Sequence, residues 1–491
     1  MSGDSHTSGG VTINADVVNI GGDVVGRDST ALPQAAPAQA AEPAPVFRLL
    51  VIVSRPLDVN ELPAIADQWR LVQGLQTVNA PVAVKVLRPP TLDGLRTELL
   101  AGYDVIHFDG HGDYGHVCPG CDRYVSSDED EPPTHCPTCD TSLKDAQAIG
   151  LLFFEKEDGT FDVLSASDFA QLITSVPDRP TKLVVLSACR SVMGDDHSLA
   201  QTLVNAGGPS VLGMKEVVTV EATLKFFQPF YAALGAGETI EEAKHIACDA
   251  LKRVNNPRTD TPAAELPLLI GPGVKAVLCP KGSHKGRVQI EPDRLVGVPD
   301  AANFYGLFIK DDPPRGRKGL LVQLARTLLS GQRLVAFVGT GGIGKTWLAS
   351  VGARRLAWRF PGGVFWRSAA DIADFRLDHL LDAFAPIFGQ QFYTLPTPAK
   401  RDLVLQYLRD LRSNVLIVVD NAETIKDESV RKFLTELPDP SAAIITTREA
   451  PEYGCAVIDV SGMDREESVN LFIMEGNRAK NAASPPRCCA A

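Results

Sequence analysis

The sequence predicts an α/β protein with two successive domains, each built on a mainly parallel β-sheet. Short apolar runs alternate with amphipathic segments over 47–280, and the same alternation resumes after residue 319. The intervening 281–318 is rich in Gly, Pro, Lys and Arg and is weakly patterned, which predicts a linker. Strands that alternate with helices are typical of doubly wound folds. At 491 residues the chain is also too long for one hydrophobic core.

Composition narrows the class of protein. The chain is 44% hydrophobic and 22% charged, with a formal net charge of −12. This acidic balance disfavours a general nucleic-acid binder and docking on an anionic membrane. We find no apolar run of membrane-spanning length and no secretory signal after Met1. Ten cysteines are too few for a disulfide scaffold, so we expect a reducing cytoplasm.

The N-terminal segment 1–30 is polar and Gly-rich, but Val11–Val25 alternates like two short strands around a Gly-Gly turn. An isolated hairpin is only marginally stable in water. It would therefore dock on the body, add a strand to a partner, or stay mobile. Residues 31–46 form an Ala/Pro linker, which we expect to be extended.

The first domain is expected to span 47–280. Its predicted helices are Leu62–Leu75, Thr91–Leu100, Ser165–Ile173, Ser198–Ala206, Glu221–Leu234 and Glu241–Val254. Its predicted strands are Phe47–Ser54, Val82–Leu87, the run from Tyr103 to His111, Ile149–Glu155, the run from Leu183 to Ser187, and Pro209–Met214. The alternation predicts one doubly wound, mostly parallel domain.

Two strands of this domain end in reactive side chains. Cys189 follows a strand that is apolar on both faces, and His111 ends another strand between Gly110 and Gly112. Open α/β sheets place ligands at the carboxyl ends of their strands. We therefore expect the imidazole to activate the thiol, with the N–H of Gly112 as an oxyanion donor. The alternative is a cysteine that acts as a small core residue and a histidine in a turn.

Four cysteines have metal-ligand spacing: Cys118, Cys121, Cys136 and Cys139. Two Cys-x-x-Cys pairs at this separation are typical of a zinc ribbon with four thiolate ligands, and the inserted segment is expected at 113–142. His116 and His135 lie beside the pairs and are alternative ligands. The other interpretation is unpaired surface thiols or a redox pair. A site closed by four thiolates is structural rather than catalytic.

A glycine-rich loop follows the predicted strand Leu334–Val338 and precedes the predicted helix Trp347–Ala357. This context is typical of a phosphate-binding loop, in which backbone N–H groups surround the phosphates, the lysine reaches the β- and γ-oxygens, and the threonine holds Mg²⁺. The alternative is a Gly-rich turn with a coincidental Lys-Thr. The residues concerned are Gly339, Thr340, Gly341, Gly342, Ile343, Gly344, Lys345 and Thr346.

Two later strand ends complete the predicted nucleotide site. Asp420 ends the apolar strand Val415–Val419 and suits the Mg²⁺ water shell, unless it is a simple strand-end cap. Another strand, Ile444–Arg448, ends with two threonine hydroxyls and a guanidinium that are positioned to sense the γ-phosphate; the alternative for Arg448 is a surface ion pair. Asn421 stands where a second acidic residue would supply the general base, and Glu423 is the nearest substitute. We therefore expect slow turnover or nucleotide holding.

The residues around His111 and Cys189 carry a family resemblance. Val105–Gly112, Leu186–Ser191, Ser198–Gly213 and Phe230–Leu234 resemble the CHAT domain, a bacterial relative of caspases and separases. The resemblance implies a caspase-like cysteine endopeptidase in which His111 and Cys189 form the catalytic dyad. Its protein substrate is unknown. The zinc ribbon is inserted directly after His111, where it would shape or restrict the substrate groove.

The second domain, 319–479, is similar to the NB-ARC subfamily of STAND ATPases. The similarity rests on Gly339–Thr346, Leu416–Asp420, Ile444–Arg448 and Val460–Phe472. It implies an ADP/ATP switch with Mg²⁺ and self-association on nucleotide exchange. The helical subdomain is incomplete, and nothing in the tail 480–491 indicates a domain end. We therefore expect either a sensor protein supplied in trans or a shortened gene product with a non-native tail.

The sequence thus predicts a bacterial signalling protein in which an ADP/ATP switch controls a caspase-like protease domain carrying a zinc ribbon. The competing hypothesis is a non-enzymatic adaptor, in which the protease fold is a scaffold and nucleotide binding is the only chemistry. A standalone ATPase motor is disfavoured because Asn421 replaces the usual acidic residue.

Overall fold

A computed structural model describes residues 47–59, 82–126, 133–176, 180–188, 191–192, 197–215, 220–252, 254, 262–280, 289–290, 304–305, 317–360, 362–370, 372–410, 414–463, 465, 468–469 and 472. The predictions for the segments 1–30 and 31–46, the helix Leu62–Leu75, Cys189 and the tail 480–491 lie outside these residues. Within the described part of the chain, no helix has the length and apolar character needed to cross a membrane.

The N-terminal unit contains most of the predicted strands and helices, with ends that shift by a few residues. Its strands are β1 (Phe47–Val53), β2 (Val82–Leu87), β3 (Val105–Asp109), β4 (Gly112–Val117), β5 (Tyr124–Ser126), β6 (Ile149–Glu155), β7 (Phe161–Ser165), β8 (Leu183–Ser187), β9 (Ser210–Met214), β10 (Pro267–Ile270) and β11 (Gln289–Ile290). Its helices are α1 (Leu92–Leu99), α2 (Ala166–Thr174), α3 (Leu199–Asn205), α4 (Val220–Gly235) and α5 (Ile240–Ala250), with a 3₁₀ turn at Ala263–Glu265.

The main sheet has seven strands in the order β10-β9-β8-β3-β1-β2-β11. Its strands are parallel except for β10, which is antiparallel to β9. Alternate residues of β1 face opposite sides: Leu49 and Val51 pack towards α4 and α5, whereas Leu50 and Ile52 pack towards α1, α2 and α3. Both faces are therefore buried, as the continuous apolar runs predict.

A buried polar pair lies within the first of these two cores. His107 of β3 is fully buried, and its Nδ1 is 2.8 Å from the hydroxyl of Tyr231 on α4. The ring of Phe227 lies 4.4 Å from the imidazole, centroid to centroid. Burial lowers the pKa of His107 to about 4, so the imidazole is neutral at neutral pH.

The strand Ile149–Glu155 does not join the main sheet. It is β6 of a second, antiparallel sheet with the order β5-β4-β6-β7. The prediction assigned this strand to the single doubly wound arrangement, because an apolar run of this length fits a strand of either sheet type. The pairing is antiparallel because β4 leads directly out of the His111 turn and meets β6, with Gly112 opposite Leu152.

The C-terminal unit has a six-stranded sheet with the order β12-β14-β15-β16-β13-β17. The strands are β12 (Phe304–Tyr305), β13 (Leu334–Val338), β14 (Val364–Ser368), β15 (Leu416–Asp420), β16 (Ala442–Thr447) and β17 (Ala456–Asp459). The helices are α6 (Lys318–Leu329), α7 (Lys345–Arg355), α8 (Leu377–Leu381), α9 (Ala385–Phe388), α10 (Thr397–Asp410) and α11 (Glu428–Thr435). Short 3₁₀ turns lie at Ala357–Arg359, Asp382–Phe384, Gln390–Thr394 and Ala422–Thr424.

All pairings in this sheet are parallel, and both of its faces are covered. Val364 and Val418 contribute to the core shared with α6 and α7, and Phe365 and Val419 contribute to the core on the opposite face. The segment predicted as a linker, 281–318, contains β11 and β12 and the start of α6. It therefore adds one short strand to each of the two parallel sheets.

Candidate functional sites

The strands that lead to His111 and Cys189 lie side by side. β3 and β8 are parallel neighbours, with Asp109 opposite Ser187 at their carboxyl ends. The backbone N–H of Gly110 donates to the carbonyl of Ser187 at 3.3 Å, which ties the two strand ends together. Cys189 lies outside the described residues, so contact between the thiol and the imidazole stays a prediction.

The chain is anchored again two residues beyond Cys189. Ser191 is 2% exposed, and its hydroxyl accepts a 3.0 Å hydrogen bond from the N–H of Met214 in β9. Its carbonyl accepts a hydrogen bond from the N–H of Ala200 in α3. The second sheet touches the same helix, since a Cβ on Gly150 would lie 2.5 Å from the backbone nitrogen of Leu199.

His111 is held by the second sheet as well as by β3. Its carbonyl accepts a 3.1 Å hydrogen bond from the N–H of Phe153 in β6. The preceding Gly110 must lack a side chain, because a Cβ there would lie 2.7 Å from the ring of Phe108. Gly112, the predicted oxyanion donor, is the first residue of β4.

A cluster of charged side chains lies at the strand ends beside His111. The Arg55 guanidinium contacts both carboxylate oxygens of Asp109 at 2.9 Å. The backbone N–H of Arg55 donates to Glu155 at 2.7 Å. Glu155 is 4% exposed, and burial raises its pKa against the opposing charge of Arg88. This cluster is not among the residues predicted from the sequence, although the charged Glu155 at the end of the apolar run Ile149–Phe154 was a signal for it.

The environment of His111 favours the neutral imidazole. Its pKa falls to about 4, first because of burial and then because Arg55 and Arg355 carry positive charge; Lys318 adds to this and Asp109 opposes it. A neutral imidazole can accept a proton, but a pKa this far below neutral pH makes it a weaker general base than a histidine with a pKa near the operating pH. Arg355 and Lys318 belong to the C-terminal unit.

The four cysteines of the predicted ribbon come together, two from the β4–β5 connection and two from the β5–β6 connection. Their sulfur atoms all lie within 4.8 Å of one another, and neither His116 nor His135 belongs to the group. The Sγ atoms of Cys118 and Cys139 are 3.5 Å apart, and those of Cys121 and Cys136 are 3.7 Å apart. Tetrahedral coordination with Zn–S bonds of about 2.3 Å places sulfurs about 3.8 Å apart. The thiols therefore fit a zinc ion.

The glycine-rich loop connects β13 to α7. Gly342 and Gly344 have φ angles of +76° and +101°, a backbone conformation that favours glycine. The Nζ of Lys345 donates to the carbonyls of Gly339 at 2.8 Å and Thr340 at 2.9 Å, so the ammonium group lies at the loop. Gly341 and Ile343 lie in the same loop. Helix α7 starts at Lys345, and the N–H groups of its first turn are the donors that would bind an anion.

Asp420 lies beside this loop, as the motif predicts. Its Oδ1 accepts hydrogen bonds from the hydroxyls of Thr346 at 2.8 Å and Thr446 at 2.5 Å. Asp420 is 4% exposed, so it does not act as an exposed strand-end cap. A carboxylate joined to a threonine hydroxyl is the donor set that holds Mg²⁺ and its water shell in phosphate-loop proteins. Thr446 is one of the two threonines before Arg448 whose hydroxyls the sequence predicts to lie at the γ-phosphate end of the site.

Arg448 and Glu423 form an ion pair, with Nε and Oε1 2.9 Å apart. A Cβ on Gly341 would lie 3.9 Å from the Arg448 guanidinium carbon, so the arginine also lies at the glycine-rich loop. Both of the interpretations of Arg448 therefore have a geometric basis. Asn421 has a φ of +57°, and its side chain donates to Asp420 at 3.0 Å.

The fold and these strand-end sites define a protein with two mainly parallel α/β sheets, one bearing a histidine turn and a four-cysteine insert, the other a glycine-rich loop. The family model of the CHAT domain matches residues 18–265, and the chain belongs to the CHAT domain family. This membership supports a protease-like fold for the N-terminal unit. The match begins earlier than the predicted 47 and ends earlier than the predicted 280. No curated protein matches the chain.

Several solved structures are similar to part of the chain. They include the ORC1 protein of Aeropyrum pernix in complex with DNA, at 17% identity over 38% of this chain and 53% of that one, with a TM-score of 0.28. A STAND protein with a tetratricopeptide repeat sensor from Pyrococcus horikoshii matches at 18% identity, over 35% of this chain and 26% of that one, with a TM-score of 0.24. The chain thus spans about half of the Aeropyrum structure and a smaller share of the Pyrococcus one.

Proposed function

We propose that this chain is a bacterial signalling protein in which an ADP/ATP-binding unit controls a caspase-like cysteine endopeptidase. The observation that carries the proposal is the parallel pairing of β3 with β8, because it brings the backbone before His111 next to the backbone before Cys189. In this mechanism Cys189 attacks the scissile carbonyl and His111 accepts the thiol proton. His111 then returns the proton to the leaving amine, and Gly112 donates its N–H to the oxyanion.

The test is mass spectrometry of the full chain after incubation with an electrophilic peptide probe, with and without ATP. We expect selective labelling of Cys189 and loss of that labelling in His111→Ala. Cys455 serves as the internal control, because it is half-buried and unrelated to the dyad. If Cys189 reacts no faster than Cys455 both with and without ATP, the protease proposal fails. The non-enzymatic adaptor then becomes the working hypothesis.

The C-terminal unit is proposed to hold ADP or ATP with Mg²⁺ and to hydrolyse it slowly. Lys345, Thr346 and Asp420 would bind the phosphates and the metal, supported by their contacts around the loop. Slow hydrolysis is expected because Glu423, the nearest substitute base, is paired with Arg448. Steady-state phosphate release tests this: turnover of many ATP per second would favour a motor instead.

We further propose that nucleotide exchange changes self-association and that assembly activates the protease on an unidentified protein substrate, with a sensor protein supplied in trans. The glycine-rich loop supports the nucleotide part of this proposal. Sedimentation velocity of the full chain with ADP and with a non-hydrolysable ATP analogue tests the assembly part. Identical sedimentation in both nucleotide states would exclude it.

A further inference from the structure

The carboxylate of Asp420 is held at both of its oxygen atoms. Oδ1 accepts the hydroxyl protons of Thr346 at 2.8 Å and Thr446 at 2.5 Å. Oδ2 accepts a hydrogen bond from the Nδ2 of Asn421 at 3.0 Å. The last side-chain torsion of an aspartate is broad when nothing restrains it. Hydrogen bonds at both oxygens fix this torsion, so the buried carboxylate has one orientation.

Thr446 supplies one of these bonds from the neighbouring strand. β16 pairs with β15 in parallel, with Ile445 opposite Val419, so Thr446 lies beside Asp420. Thr446 is fully buried, and its hydroxyl accepts the backbone N–H of Asn421 at 2.9 Å while it donates to Asp420. A hydroxyl has a single proton. Because that proton goes to Asp420, none is left for a phosphate oxygen, which only accepts hydrogen bonds.

Thr447, the next residue of β16, has a different partner. Its hydroxyl donates to the backbone carbonyl of Glu449 at 3.0 Å, and the residue is buried. Of the two threonines before Arg448, Thr446 is therefore the one that contacts the Asp420 carboxylate.

Asn421 reaches Asp420 because of its backbone conformation. Its φ of +57° and ψ of +46° are left-handed, a conformation that asparagine adopts more readily than most residues. The chain turns here, at the end of β15, so the Asn421 side chain donates to the residue before it and its N–H donates to Thr446. An aspartate at this position has no amide donor and would add a negative charge beside Asp420. The position of the usual second acidic residue thus carries a hydrogen-bond donor to the first.

A fixed orientation matters for the ion that this carboxylate serves. Mg²⁺ requires nearly ideal octahedral geometry and is bound through only one or two carboxylates of the protein. A group that is already oriented loses little conformational freedom when the ion binds. Residues that orient a metal ligand typically lower the metal affinity by about 10–100-fold when they are removed.

We propose that Asn421 and Thr446 are positioning residues that hold the Asp420 carboxylate in the orientation in which it serves Mg²⁺. The inference deepens the proposed function and rests on it, because it names the groups that set metal binding at the nucleotide site. Both residues act on Asp420 and not on the nucleotide. Their loss therefore weakens the part of the nucleotide affinity that depends on Mg²⁺ and leaves the other part unchanged.

The first test is isothermal titration of the full chain with ADP and with ATP, each in Mg²⁺ and in EDTA. For each nucleotide, the dissociation constant in EDTA divided by that in Mg²⁺ measures the Mg²⁺ effect. Thr446→Val keeps the side-chain shape and removes the hydroxyl, so the Mg²⁺ effect should fall by about tenfold or more. The affinities in EDTA should not change. Thr446→Ser restores the hydroxyl and should restore the Mg²⁺ effect, which a loss of packing alone would not do.

Two results of this titration would overturn the role of Thr446. One is a Mg²⁺ effect in Thr446→Val equal to that of the wild-type chain. The other is a loss of ATP affinity in EDTA with the ADP affinity kept, which would make Thr446 a contact of the γ-phosphate. Thermal unfolding shows whether each variant is folded.

The second test uses Asn421→Gly and does not depend on the folding of Thr446→Val. Glycine adopts a positive φ without a steric penalty, so the turn is kept and the amide donor is lost. We expect the same fall of the Mg²⁺ effect. Thr424→Val is the matched control, because the exposed Thr424 donates to the carbonyl of Asn421 at 3.0 Å and belongs to the same turn. A wild-type Mg²⁺ effect in Asn421→Gly would exclude the role of Asn421.

Lys345→Ala and Asp420→Asn separate the failure of this inference from the failure of the proposed function. If Lys345→Ala binds nucleotide as the wild-type chain does, the proposed nucleotide site is wrong and the inference fails with it. If Lys345→Ala weakens binding and Asp420→Asn removes the Mg²⁺ effect, the nucleotide site stands. A Mg²⁺ effect that is kept in Thr446→Val and Asn421→Gly then contradicts the positioning role alone.

Discussion

The hydroxyl of Thr346 donates a 2.8 Å hydrogen bond to Oδ1 of Asp420, although the two residues are 74 positions apart. Thr346 lies in the first turn of α7, and Asp420 is the last residue of β15. The strand β16 lies between β15 and β13 in the sheet. This contact joins the glycine-rich loop to the strand that the motif requires.

Asp420→Asn should remove most of the Mg²⁺ dependence of nucleotide binding. The amide oxygen can still accept the bonds from Thr346 and Thr446, so the fold is kept while the negative charge is lost. Isothermal titration with ATP, with and without Mg²⁺, measures the effect. Asp410→Asn, at an exposed position, is the control. An unchanged Mg²⁺ effect would contradict the assignment of Asp420.

Lys345→Ala should weaken nucleotide binding by roughly tenfold to a hundredfold, because a hydrogen bond to a charged group contributes about 1.5–3 kcal/mol. The same titration measures it. Lys426→Ala removes an exposed lysine of the same unit and should leave the affinity unchanged. Equal affinities for all three proteins would mean that the glycine-rich loop is only a turn.

Cys136→Ser should release zinc and destabilise the insert, since the Cys136 thiol is buried within the group of four. Elemental analysis of the purified protein, followed by thermal unfolding, measures both effects. Cys455→Ser is the matched control, because that cysteine lies in the C-terminal unit. Full zinc retention in Cys136→Ser would shift the assignment to His135 or His116.

Acid should destabilise the N-terminal unit through His107. The pKa of His107 is lowered by burial from 6.5 to about 4 in the folded state. The unfolded chain therefore binds the extra proton between these two values, and the free energy of unfolding falls as the pH drops from about 6.5 to 4. The slope approaches about 1.4 kcal/mol per pH unit for this one group. Urea unfolding at a series of pH values measures it.

Variants of His107 and Tyr231 test this hydrogen-bonded pair. His107→Phe alone leaves the buried hydroxyl of Tyr231 without this partner and should cost about 1–3 kcal/mol. His107→Phe combined with Tyr231→Phe removes both polar groups and should recover much of that loss. Both variants should reduce the slope of the free energy of unfolding against pH. The slope that remains comes from His111. A slope that is unchanged in the double variant would exclude His107 as its source.

Much of the fold was predictable because local signals were strong. Buried parallel strands are continuous apolar runs, and glycine-rich loops and cysteine pairs have fixed spacing. The choice of which strands pair with one another in a sheet has no such local signal. The strand β6 was predicted as a strand of one doubly wound domain, and its composition could not show that it belongs to a separate antiparallel sheet. Its antiparallel partner follows from the turn at His111 and not from its own residues.

The site residues that could be predicted are those that belong to a sequence motif. Arg55 acts through its contact with Asp109, which is 54 positions away in the sequence, so no spacing could reveal it. The contact between Arg355 and Pro56 joins residues 299 positions apart. Such contacts depend on how two units pack, which is a property of surfaces and not of local sequence.

The close approach of Gly150 to Leu199 has a consequence for sequence variation. Even an alanine methyl at position 150 would force the second sheet away from α3. None of the nineteen other amino acids therefore fits at position 150 unless the Leu199 backbone moves as well. In a library of random substitutions screened for folding, only glycine should be recovered at position 150, although glycine has no reactive side chain.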